Sequence, residues 1–145
     1  MRFHPRQIAV AAAGLVLGLG VFLPATYVNA QSLKEMRARD AEERALQREA
    51  AFTARICGAS ISASIDWSTF DDWPDGVSVT TACDGALAAL EAVCREGRGR
   101  GGAVSSFVCA GDGTGASLSG GELTYGASPG ESSFDDAKSV LDDEL

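Results

Sequence analysis

The side chains with the clearest chemistry in this chain are four cysteines, Cys57, Cys83, Cys94 and Cys109. They are separated by 25, 10 and 14 residues, without the closely paired spacing of a zinc site. Disulfide chemistry is what remains, and geometry selects the pairing. Cys83, Leu87, Leu90 and Cys94 recur at intervals of four, three and four, one stripe of a single helix. Across that helix Cys83 and Cys94 stand ~16 Å apart, whereas a disulfide requires Cα atoms within ~7 Å. Both must therefore reach down to neighbouring strands. Taking the helix as the return crossover between two parallel strands pairs Cys57 with Cys94 and Cys83 with Cys109. Each bridge is expected to contribute roughly 2–4 kcal/mol.

A second cluster joins aromatic rings to carboxylates. Trp67, Phe70 and Trp73 are interleaved with Asp66, Asp71, Asp72 and Asp75. Rings beside acids suit a sugar-binding cleft, and a carboxylate pair is what glycoside hydrolysis uses. The plainer reading makes Trp67 a core residue and Trp73-Pro74 a strap over the sheet edge. Trp73 also occupies a position where a calcium loop needs oxygen. Arg95, Arg98 and Arg100, among glycines, form the one cationic cluster of the C-terminal part and are candidates for holding an anion. They equally suit the cation-favouring end of a helix. Gly111-Asp112-Gly113-Thr114-Gly115 lacks the lysine of a phosphate loop and reads as a hairpin turn.

What is missing narrows the chemistry further. The only histidine is His4, so from residue 5 onward there is no Ser-His-Asp or Cys-His catalysis and no imidazole metal site. The serines lack a Ser-x-x-Lys pattern. No catalytic residue, metal or cofactor is assigned.

Export is written at the N-terminus. Arg2, His4 and Arg6 precede an apolar run from Ile8 to Leu23, and Val28-Asn29-Ala30 supplies a cleavage site before Gln31. Residues 1–30 read as a signal peptide, and the cysteines fit the oxidising compartment it leads to. The uncharged stretch from Ile8 to Ala30 is also long enough to span a bilayer of ~30 Å if retained as an anchor. The preference for Arg over Lys fits a bacterial exported protein, periplasmic or secreted.

Charge is unevenly distributed within the whole-chain value of −8. Residues 31–56 carry six basic and five acidic groups, whereas residues 57–145 carry four basic against fifteen acidic, a net −11. Phosphate binding needs the opposite sign, so no nucleic-acid partner is expected, and membrane contact is expected only if residues 8–30 stay as an anchor.

The elements that must position these groups follow from pattern. Ser32 to Glu35 reads as a capping box opening a helix or stalk over residues 31–56, of which Phe52 and Ile56 look ready to pack. Ile61, Ala63, Ile65 and Trp67 alternate with polar residues, a strand buried on one face and wet on the other. A helix is expected to start at Thr81 and end at Gly97, with a strand from Val104 to Ala110. Gly120-Gly121 gives either a second hairpin turn or a bulge before Leu123 and Tyr125, and Ser133 caps a last helix with Phe134, Leu141 and Leu145 inward. Residues 57–145 are thus expected to form an α+β domain: a single sheet, a disulfide-stapled strand-helix-strand unit, a following β-hairpin and a C-terminal helix.

The functional expectation is a small non-enzymatic interaction domain of the bacterial envelope with an unknown ligand or protein partner. It would bind through the serine-rich sheet face and the loop 66–75. The alternatives are a carboxylate-dependent glycan hydrolase and a membrane-tethered structural protein.

Overall fold

The computed structural model describes residues 25–97 and 100–145, so most of the expected signal segment and Arg98 lie outside the described residues. Three helices, α1 (Ala25–Cys57), α2 (Val79–Glu96) and α3 (Phe134–Glu144), cover one mixed sheet. Its strands are β1 (Ser62–Ile65), β2 (Ser106–Ala110), β3 (Gly115–Ser119) and β4 (Glu122–Gly126), in the order β1-β2-β4-β3.

Alternation along the strands produces two unlike faces. The registers align Ala63, Phe107, Leu123 and Leu118 in one row and Ile65, Cys109, Tyr125 and Ala116 in the next. This is the core face, and Phe107, Cys109 and Leu123 are fully buried on it. The helices lie over it, with α1 against β1, α2 against β2 and α3 against β3. The opposite rows run Ser62, Ser106, Glu122, Ser119 and Ser64, Val108, Thr124, Ser117. A sheet buried on one side only is what the alternation over residues 61–67 predicts.

β1 and β2 are parallel and joined by α2, the expected strand-helix-strand unit. The route beyond β2 departs from expectation. β4 lies parallel beside β2, and β3 pairs antiparallel with β4 at the sheet edge. Residues 111–114 therefore carry the chain past the slot that β4 fills, and they do not form a hairpin. Asp112 holds this turn by accepting from the Thr114 amide and hydroxyl. The hairpin is β3–β4, where Gly120 and Gly121 both have positive φ (58° and 84°), as a two-residue turn of this hand requires.

Both expected disulfides are present, Cys57–Cys94 and Cys83–Cys109. One detail differs. Cys57 is the last residue of α1, so the first bridge joins helix to helix, while the second joins α2 to β2.

Helix boundaries moved for identifiable reasons. No Gly or Pro lies between Pro24 and Cys57, and α1 already runs through Ser32, which is thus no N-cap. Its buried face is Leu46, Ala50 and Thr53, and Phe52 is 43% exposed. α2 begins at Val79 because the Ser78 hydroxyl accepts from the Thr81 amide. In α3, Ala137 and Leu141 are the buried pair, and Phe134 faces outward.

Past the end of α2, buried Gly101 sits against the first disulfide. A Cβ there would overlap Cys94 Sγ and come within 3.3 Å of Cys57 Sγ and Leu90 Cδ1. Gly101→Ala should therefore cost ~1–3 kcal/mol through overpacking. Gly102→Ala, with no atom within 4 Å of the new methyl group, should be neutral. Thermal unfolding of the two oxidised variants checks the contrast.

Candidate functional site

The loop from Asp66 to Asp75 follows β1 and brings the sequence-predicted rings together. Trp67 and Phe70 have centroids 6.0 Å apart, and Phe70 and Trp73 meet edge to face at 4.8 Å. Their polar edges are already engaged. Trp67 Nε1 donates to Glu43 Oε1 at 2.7 Å, and Trp73 Nε1 donates to the Gly111 carbonyl at 2.9 Å. The Arg39 guanidinium lies 5.1 Å over the Trp67 ring, and Phe70 is buried. One face of the Trp67 ring is thus covered from α1.

The acids separate by role. Asp66 caps the short 3-10 turn Trp67–Thr69, accepting from the Ser68 amide at 3.2 Å and the Ser68 hydroxyl at 2.6 Å. The Thr69 hydroxyl donates to the Asp66 carbonyl and accepts from the Gly111 amide, which ties the loop to the end of β2. Asp71, Asp72 and Asp75 are exposed. Asp75 borders a shallow depression of about 670 Å³ with Lys34, Glu35, Ala38 and Gly76. A neighbouring depression of about 290 Å³ lies between Arg39, Glu42, Trp67 and Val77.

The cationic candidates are also occupied. Arg95 pairs with Glu91 at 3.1 Å, and Arg100 Nη2 donates to the Asp142 carbonyl at 3.2 Å, near the end of α3. Arg98 lies outside the described residues. Among the described residues no group of three or more acidic, Cys or His side chains is placed to hold a metal ion.

Sequence reasoning missed the residues that organise this region, Arg39, Glu42 and Glu43 of α1. Glu42 Oε2 accepts from the Ser78 hydroxyl at 3.1 Å and the Thr80 amide at 2.8 Å, and its carbonyl accepts from the Thr80 hydroxyl at 3.0 Å. A carboxylate from one helix thereby satisfies the Thr80 amide at the positive end of another. The signal for this was the helical period: residues 39, 42, 43, 46, 50, 53 and 57 form one face, polar in its first half. Thr53 closes the seam, its hydroxyl 3.0 Å from Glu91 Oε1 and 3.1 Å from the Glu49 carbonyl.

Among the described residues, three groups are displaced from their ordinary ionisation. Asp84 is raised by partial desolvation and by repulsion from Glu49, offset in part by the Gly85 amide. Tyr125 is raised by burial, then by Asp136 and Glu131. Lys138 is raised by hydrogen bonds to Asp142 and Glu96.

The other surface with a defined chemistry is the open face of the sheet. Ser62, Ser64, Ser117, Ser119 and Glu122 are exposed there, and Ser106, Val108 and Thr124 are half-buried. Within its two rows Glu122 is the single charge, and it accepts from the Ser106 hydroxyl at 3.3 Å. No protein-family model, curated protein or solved structure matches the chain.

Removing the interhelical cap should be measurable: Glu42→Ala is expected to cost about 1–2 kcal/mol in denaturant unfolding. Asp84 gives a pH signature. A carboxyl with a raised folded-state pKa favours the protonated fold, so its stabilising contribution is present below the unfolded value and lost as pH rises through the folded one. Asp84→Asn should therefore raise the melting temperature at pH 7, with the difference vanishing at pH ~3. A pH-independent difference would assign the effect to packing.

Proposed function

We propose that the chain is a small exported interaction domain, periplasmic or secreted, that binds an envelope component through the open face of its sheet. The observation carrying this is the one-sided cover: all three helices pack on the core face, leaving rows of hydroxyls across four strands. That face is nearly uncharged and flat at the scale of its small side chains. It suits a partner presenting many hydroxyl or amide groups, such as a glycan or an extended peptide, each bond worth little and the array supplying the affinity.

Export is supported by the apolar run before α1 and by two disulfides that fit an oxidising compartment outside the cytoplasm. The described residues contain no helix long and apolar enough to cross a membrane. The aromatic loop contributes less than its composition suggests, because its rings and Asp66 are committed to internal contacts.

The experiment is retention on an insoluble envelope fraction. Ser64→Arg and Ser117→Arg, which lie in one row of the open face, should each lower retention at least ~10-fold while leaving the melting temperature unchanged. Trp73→Ala provides the comparison. If it abolishes retention in a folded protein while both arginine variants bind normally, the contact surface is the loop and not the sheet.

A further inference from the structure

Four of the six basic residues between positions 31 and 56 fall on one line. Arg37, Arg44, Arg48 and Arg55 are spaced by 7, 4 and 7 positions, which at about 100° per residue confines them to a sector about 40° wide. All four are exposed. The line lies opposite Leu46, Ala50 and Thr53, the buried side of α1, so the row points away from the domain. It extends about 27 Å along the helix axis.

An ordinary solvated helix mixes its signs and pairs them at i,i+4. Here the acids are turned aside. Glu42 and Glu43 face inward, bonded to Ser78, Thr80 and Trp67. By the same helical count Glu35 and Glu49 fall toward the buried side, and Asp40 sits at the margin of the row. Among the described residues, the ion pairs are Arg95–Glu91, Lys138–Glu96 and Lys138–Asp142, so none involves the row. Two exposed apolar side chains flank it: Phe52, with Arg55 lying 5.5 Å from its ring centre, and Leu33, 51% exposed.

We propose that this row docks α1 lengthwise on the surface of an anionic lipid bilayer, with the arginines among the phosphate groups and Phe52 and Leu33 at the interface. The attraction is electrostatic, since clustered arginines are drawn to anionic headgroups, and Phe52 and Leu33 add a small apolar contribution. A bilayer meets a straight row along its whole length. The apolar run ends at Leu23, two positions before α1 begins, so whether it directs export or stays as an anchor, α1 is the first part of the chain to follow it. The net −11 of residues 57–145 then orients the molecule, since only the arginine side is attracted.

The test is arginine accessibility in the full chain, reconstituted with vesicles of phosphatidylcholine alone or with about one-third phosphatidylglycerol. Modification by phenylglyoxal is read peptide by peptide. On the anionic vesicles Arg37, Arg44, Arg48 and Arg55 should react about fivefold more slowly, with exposed Arg95 unchanged. About 0.5 M NaCl should remove the difference. Arg44→Gln combined with Arg48→Gln, at the centre of the row, should also restore reactivity at Arg37 and Arg55. Equal rates on the two vesicles overturn the proposal, whatever anchors the chain. Protection by soluble polyphosphate or an acidic peptide, without a response to phosphatidylglycerol, overturns it in favour of a soluble polyanion.

Discussion

The rest of the structure depends on the fixing of α2 at both ends. Cys83 near its start is bonded to β2, and Cys94 near its end is bonded to the last residue of α1. Between these points Ala86, Leu87, Ala89, Leu90 and Val93 are buried. A helix held so cannot slide along the sheet, and its neighbours take their places from it. α1 packs along one side and α3 along the other. An α+β unit of this size buries a modest fraction of its surface, so covalent restraint of the unfolded chain is a substantial part of what makes the fold persist.

The second restraint on α1 is polar and lies at the other end of its contact with the domain. Cys57 clasps one end covalently. About 22 Å away along the axis, Glu42 and Glu43 clasp the start of α2 and the first tryptophan. Leu46, Ala50 and Thr53 fill the interval. N-terminal to the polar clasp, residues 32–41 are exposed, with Arg39 reaching back over Trp67 and Ala38 bordering the loop across shallow depressions.

How much of this was legible follows from range. The disulfide pairing was readable because one helix stripe carries two cysteines too far apart to join. The first strand was readable because Ile61, Ala63 and Ile65 alternate with polar residues. Both are local periodicities with a hard geometric consequence. The order of β2, β4 and β3 was not readable: Gly111 to Gly115 has turn chemistry, and turn chemistry does not say whether the next strand pairs with the last one or passes beyond it. The packing of α1 was hidden for a different reason. Its buried stripe is one leucine, one alanine and one threonine continued by Arg39, Glu42 and Glu43, so hydropathy hid a face that the period alone displays. The aromatic loop was ambiguous for a different reason: Trp67 and Trp73 are amphipathic, and composition does not show that their N–H groups find partners inside the fold.

The two surfaces left with unsatisfied chemistry belong to different layers. The hydroxyl rows are on the sheet, on the side away from the helices, and the arginine row is on the outward side of a helix that covers the other face. One surface is nearly neutral and broad, the other narrow and strongly positive, so the chemistry that would suit one does not suit the other. A two-layer fold cannot turn both toward one partner. A molecule whose helical layer rests on a charged plane therefore presents its sheet away from that plane. The one-sided cover keeps the hydroxyl rows open, since a second helical layer would bury them.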